Sequence, residues 1–249
     1  MSGHSKWASI KHKKAIVDSR RGQQFTKLAR AITIAAREGG GDVEANAALA
    51  NAVQKARDAS MPKDNIERAI AKGTGAGADA DAIEGVQYEA YGPGGVALLI
   101  EAYTDNRNRT GADVRHLLSR AGSSLAEPGS VAYLFEKRGV VVVDATRYGE
   151  DDLLVAIEAG ALDIEEDGDV YEVVAEPGDL GAVRAALEAV GVELESSELV
   201  QRPTVRVDLD EEDAKRLFRL IESLEENDDV GAVHANFEVS DEILERVAG

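Results

Sequence analysis

No cysteine occurs in the sequence, which excludes a disulfide framework, a thiolate metal site and a cysteine nucleophile. That absence also suits a reducing compartment. Aromatic residues make up only 4% of the chain, so any core must be built from Val, Leu, Ile and Ala. Aliphatic runs are short, as at Val140 to Val143, whereas a membrane-spanning helix needs about 20 apolar residues. The opening MSGHSKWASIKHKK lacks the apolar segment of a secretory signal. The expectation is a cytoplasmic protein without a membrane partner. What is present suffices for folding: 249 residues, 44% hydrophobic and 30% charged, enough for one to three domains.

Charge is unevenly spread. The whole chain carries −19, yet residues 1–37 hold nine Lys/Arg against the single acid Asp18, a net +8. Residues 76–249 hold 14 basic and 40 acidic residues, a net −26. Charges screen over about 8 Å at physiological salt, so a basic segment acts locally despite an acidic body. Such asymmetry points to a polyanionic partner for the basic end.

The hydrophobic pattern changes along the chain. Residues 1–17 are basic, lack a sustained apolar face and read as an arm. Phe25, Leu28, Ala29, Ile32 and Ala36 fall on one helical face, predicting a helix over about 19–38 that ends at Gly39-Gly40-Gly41. A second helix is expected over 42–59. A third runs from Pro62 to about Lys72, with Ile66 and Ile70 facing inward. GTGAGADADA, residues 73–82, reads as a linker.

Strands and helices then alternate. Strands are expected at 86–91 and 96–103 across a Gly-Pro-Gly-Gly turn, a helix at 110–121 and a strand at 131–136. Residues 139–200 read β-α-β-β-α-β, a ferredoxin-like module. Strand 205–209, helix 210–225 and strand 233–239 complete a second such module with 96–136. The expected fold class is α/β (α+β), a helical domain followed by two ferredoxin-like βαββαβ modules, one inserted in the other. The corresponding domains are 1–75, 83–138 plus 201–249, and 139–200.

Two clusters carry chemistry. The arm and the start of the first helix gather His4, Ser5, Lys6, Trp7, Lys11, His12, Lys13, Lys14, Arg20 and Arg21. Cations neutralise phosphates and release counterions, arginine forks onto a phosphate, and an indole face stacks on a base. The competing reading is a solvated basic tail whose Trp7 packs on its own domain. The second cluster is Asn106, Arg107, Asn108 and Arg109, with Arg115, His116 and Arg120 just beyond, between a strand and a helix. Polar donors there suit an anion. They equally suit capping by Asn108 or Thr110, with the arginines paired to acidic neighbours.

No enzyme motif stands out. His4, His12, His116 and His234 are scattered, and no P-loop, zincin or nucleophile-elbow pattern occurs. The acids at Glu165, Glu166, Asp167 and Asp169 fit a hairpin turn. Glu211, Glu212 and Asp213 suit the positive end of a helix. No cofactor, metal or small-molecule substrate is expected. No basic recognition helix or RNP-type aromatic set is evident.

The stretches GHSKWASIKHKK (3–14), RGQQFTKLARAI (21–32), MPKDNIERAIAKGTG (61–75), YEAYGPGGVALLIEAYTDNRNRT (88–110) and EPGSVAYLFEKRG (127–139) resemble the YebC/PmpR family. The mitochondrial translational activator of cytochrome c oxidase belongs to that family. The resemblance covers the first 140 residues closely. It implies a three-domain α/β protein and a non-enzymatic regulator of gene expression. Members are described as DNA-binding transcriptional regulators, others as ribosome-associated factors that help proline-rich sequences through synthesis. It also implies a functional tip at Gly3 to Trp7, Ile10, Lys11, Lys13 and Lys14, with a second contact at 106–109. Gln23 and Ala31 depart from the usual pattern, which has lysine and glutamate there.

Three readings follow: a nucleic-acid-binding regulator on ribosomal RNA or the ribosome, a promoter-binding factor on DNA, and an acidic protein-interaction module. The expected assembly is a monomer or weak oligomer.

Overall fold

The apolar stripe expected near the start of the chain winds into a helix, α1, Arg21–Gly39, in a computed structural model that describes residues 21–75 and 83–248. Two shorter helices pack on it: α2, Ala47–Asp58, and α3, Lys63–Gly73. Ile32 and Ala36 of α1 meet Leu49, Val53 and Ala56 of α2, Met61, and Ile66 and Ala69 of α3 in one buried cluster. The second helix starts five residues later than its periodicity suggests because Asn46 caps it, its side-chain oxygen accepting the Leu49 N–H at 3.1 Å. Gly73 permits the close crossing of α1 and α3, since a Cβ there would lie 2.4 Å from the Thr33 carbonyl oxygen.

The described chain groups into two compact units, residues 21–75, 83–134 and 209–236 in one, 135–208 and 237–248 in the other. The first joins the three helices to an antiparallel sheet. Strand β1, Glu84–Tyr91, pairs with β2, Ala97–Thr104, across the Pro93–Gly95 turn, where Gly94 adopts φ +69°. Helix α4, Arg107–Arg120, leads to the two-residue β3, Ser124–Leu125, on the outer edge of β1. Ala97, Leu98, Leu99 and Ile100 of β2 are all buried, as are Val114 and Leu118 of α4.

The second unit contains β4, Phe135–Asp144, the short helices α5, Glu150–Leu153, and α6, Val155–Glu158, then β5, Ala161–Asp167, and β6, Val170–Ala175. Helix α7, Leu180–Ala189, and β7, Leu194–Pro203, follow. The strand order β5-β6-β4-β7, antiparallel throughout, is that of the split-βαβ module read from 139–200. Alternation in β4 sends Val141 and Val143 into the cluster with Leu153, Val183 and Leu187, and Val140 and Val142 to the opposite face. The unit also holds β8, Val207–Asp208.

Back in the first unit lie α8, Glu211–Glu225, and β9, Val230–Ala235, antiparallel to β2. Asp210 caps α8, and Leu217, Phe218, Ile221 and Leu224 form its buried stripe. The second unit ends with β10, Phe237–Glu238, paired in parallel with β8, and α9, Asp241–Ala248.

The fold class is as read: helices first, then antiparallel sheets with helices. Three strand expectations are corrected. Residues 131–136 do not form a strand; Ala132–Leu134 make a 3-10 turn and Phe135 opens β4. The cause is Glu89, whose carboxylate takes the N–H groups of Gly129, Val131 and Ala132 that a strand would offer a neighbour. Residues 205–209 shrink to β8. Strand 233–239 breaks at Asn236, whose side-chain oxygen accepts the Ala97 N–H at 2.7 Å. The place beside β2 opposite β9 is consequently filled by β1. Helix 150–159 is also divided, at Leu154.

Candidate nucleic-acid interface

Nine of the ten residues named for the basic arm, His4, Ser5, Lys6, Trp7, Lys11, His12, Lys13, Lys14 and Arg20, lie outside the described residues. Arg21 opens α1. What the structure shows is how α1 is held. Gln23, Lys27 and Arg30 fall on one helical stripe facing the loop after α8. Gln23 Nε2 donates to Asp228 Oδ1 at 2.7 Å, and Lys27 Nζ donates to the Glu225 carbonyl. Arg30 Nη1 donates to the Asp228 carbonyl at 2.8 Å and to Asp229 Oδ1 at 2.7 Å. Arg37 donates to the Ile83 carbonyl. Three N-terminal cations, Lys27, Arg30 and Arg37, are therefore engaged internally.

Asp229 is the hub that links α1 to the second cluster. Its side chain is 6% exposed. Oδ2 accepts from Arg109 Nη2 at 2.8 Å and from Thr110 Oγ1 at 2.6 Å, with Thr104 Oγ1 at 3.4 Å. Burial pushes the Asp229 carboxyl up, but the Thr110 hydroxyl and the Arg109 and Arg30 guanidinium groups outweigh that and hold it below the usual range. Arg109 also pairs with Asp105 at 2.8 Å. Hydrogen bonds to the two carboxylates raise the Arg109 guanidinium further.

Local sequence explains the placement of the loop. Asn106 is the N-cap of α4, in extended conformation, and its Oδ1 accepts the Arg109 N–H at 3.1 Å. The cap is thus Asn106, one of the donors assigned to a ligand, and neither Asn108 nor Thr110. Arg107 sits 3.7 Å from Glu84 and is 64% exposed. Asn108, Arg115, His116 and Arg120 are exposed, and among the described residues they have no hydrogen-bonding or ion-pairing partner within reach.

The two readings of the second cluster therefore divide by residue. Asn106 and Arg109 brace the fold, whereas Asn108 and Arg115 face solvent along α4. Sequence reasoning missed Asp229, Arg30 and Glu89. Asp229 lies 120 positions from Arg109 in a run of acids, so nothing local marks it.

Among the described residues no group of three or more His, Asp or Glu side chains could hold a metal ion, and no helix is long and apolar enough to cross a membrane.

Comparison with known proteins places this arrangement. A model of the TACO1/YebC protein N-terminal domain matches residues 5–76, and one of the TACO1/YebC second and third domain matches residues 83–237. A probable transcriptional regulatory protein of Rubrobacter xylanophilus is 56% identical over 250 residues, with 100% of both chains covered. One of the same description from Acidothermus cellulolyticus is 54% identical, covering 99% of this chain and 100% of that one. The crystal structure of a conserved hypothetical protein from Aquifex aeolicus shares 44% identity and a TM-score of 0.80, covering 92% of this chain and 95% of that one. With both family models matching and together covering nearly its whole length, the chain belongs to the TACO1/YebC family.

Proposed function

We propose that the protein is a non-enzymatic, nucleic-acid-binding regulator of gene expression whose basic arm grips ribosomal RNA and which relieves stalling on difficult, proline-rich sequences. The observation that carries this reading is the opposition of charge: +8 over residues 1–37 against −26 over residues 76–249. A body of that charge is repelled by bare duplex except at the arm. A ribosomal site offers protein surface as well as phosphate. The bracing of α1 through Gln23, Lys27 and Arg30 supports the reading, because a fixed helix gives the arm a defined point of departure. The solvent-facing Asn108, Arg115, His116 and Arg120 supply a second, weaker contact to phosphate.

The second reading is a DNA-binding transcriptional regulator. It is favoured by the description that the relatives from Rubrobacter xylanophilus and Acidothermus cellulolyticus carry. Sequence discrimination ordinarily rests on base-edge contacts worth about 1–3 kcal/mol each, and no side-chain set placed for them is evident on α4. Sedimentation with ribosomes, run beside titration onto several duplexes at two salt concentrations, separates the two. Ribosome binding without duplex selectivity is the expected result. Promoter-selective binding that survives physiological salt, with nothing on ribosomes, overturns it.

The division into domains 1–75, 83–138 plus 201–249, and 139–200 belongs to this proposal.

A further inference from the structure

In the unit formed by residues 135–208 and 237–248, the end of the β4–β7 ribbon, β5, β10 and the loop after β7 border an open polar cleft of about 670 Å³. Residues 135–208 and 237–249 hold 7 Lys/Arg against 23 Asp/Glu. Three of those seven cations, Arg138, Arg202 and Arg206, line this one cleft.

Their guanidinium groups are not equally engaged. Arg138 is shared between Glu136 at 2.7 Å and Glu176 at 3.3 Å. Arg202 Nη2 reaches Glu165 Oε2 at 2.5 Å, and its Nε, which has no hydrogen-bond partner, is sealed from solvent and out of a ligand's reach. Arg206 is half-buried, and among the described residues no carboxylate lies within ion-pair distance of it. In a unit with about three acids per cation, an arginine without a carboxylate partner is unexpected. The cleft therefore presents one guanidinium, that of Arg206, without a carboxylate of its own, and an anion supplies what is missing. Phosphate matches, since guanidinium forks onto two of its oxygens.

The lining is not purely cationic. Glu165 uses only Oε2 in its pair with Arg202, which leaves Oε1 to accept, and Glu238 also borders the cleft. A bare phosphate has no use for a carboxylate beside it. A ligand that carries both a phosphate and hydroxyl donors does, and a carboxylate receiving ribose hydroxyls is a recurrent arrangement. The volume falls within the ordinary range for small-ligand sites, about 300–1,000 Å³. We propose that this cleft binds the phosphorylated ribose of a ribonucleotide, with Arg206 on the phosphate and Glu165, held by Arg202, on the vicinal hydroxyls. The proposal does not depend on how the arm is used.

Calorimetric titration of the full chain tests it, with AMP, 2′-deoxy-AMP, inorganic phosphate, and a short single-stranded RNA beside the DNA of the same sequence. AMP should bind more tightly than deoxy-AMP or phosphate. Arg206→Ala should weaken AMP binding roughly 10-fold or more, as expected when a charge-assisted hydrogen bond is removed, with Arg206→Lys intermediate. Lys11→Ala, Lys13→Ala and Lys14→Ala together should leave AMP binding unchanged, which separates this site from the arm. Binding that depends on Arg206 for the RNA alone identifies the ribonucleotide as part of a polymer and also supports the site. Equal affinity for AMP and deoxy-AMP, an Arg206→Ala variant that matches the parent with every probe, or a parent that takes none of them overturns it.

Discussion

Asp229 should be the most sensitive single position in the first unit. Its carboxylate is buried, and it accepts from Thr110 at 2.6 Å, Arg30 at 2.7 Å and Arg109 at 2.8 Å. Removing one partner of a buried charge pair costs about 3–5 kcal/mol when both are fully buried. Here the partners are only partly so, with Arg30 22% and Arg109 47% exposed. Water can re-solvate both, so the loss is discounted to about 2–3 kcal/mol for Asp229→Ala. Urea unfolding followed by far-UV circular dichroism measures it. A double-mutant cycle with Arg30→Ala should return a coupling on the order of 1 kcal/mol or more. The pH dependence has a fixed sign. The folded carboxyl sits below its unfolded value, so its contribution is fully present above about pH 4 and drains away as pH falls through the folded value. The parent should therefore lose more stability than Asp229→Asn between neutrality and about pH 3. An Asp229→Ala loss below about 0.5 kcal/mol, the range of ordinary surface changes, refutes the hub.

Glu89→Gln should destabilise by about 1–3 kcal/mol, because three backbone N–H groups are deprived of a charged acceptor. Faster amide exchange at Gly129, Val131 and Ala132 should accompany that change, and unaltered exchange there contradicts the pinning of that loop. Gly73→Ala should also destabilise. The Cβ, 2.4 Å from the Thr33 oxygen, introduces overpacking of about 1–3 kcal/mol, against a gain in helix propensity of about 1 kcal/mol. Thermal melting settles the sign. Arg115→Ala with Arg120→Ala should leave stability within about 0.5 kcal/mol while flattening the salt dependence of nucleic-acid binding by about 0.7–0.9 for each phosphate that is no longer neutralised. An unchanged slope removes α4 from the interface.

Periodicity made much of this fold legible. The stripes of α1, α4 and α8 were readable because a helix buries one face at a local spacing, and the run Val140 to Val143 marked the middle of β4. The hairpin of β5 and β6 was readable because Asp167-Gly168 signals its turn. What local pattern could not reveal is competition for backbone hydrogen bonds by distant side chains. Glu89 takes the amides of residues some 40 positions away and turns an expected strand into a 3-10 turn. Asn236 does the same to the end of β9. At the candidate interface, the composition of the 106–109 loop was visible, but its division of labour was not. Asn106 is taken up in capping α4 and Arg109 in pairing with Asp229, which looks like any other acid in its stretch.

The central claim is that the basic arm grips nucleic acid while the acidic remainder shapes and positions it. The most direct measurement replaces Lys6, Lys11, Lys13 and Lys14 with glutamine in the full chain and then quantifies co-sedimentation with ribosomes at two salt concentrations. The account predicts that binding falls sharply and that what remains shows little salt dependence. Binding as tight and as salt-sensitive as the parent's contradicts it.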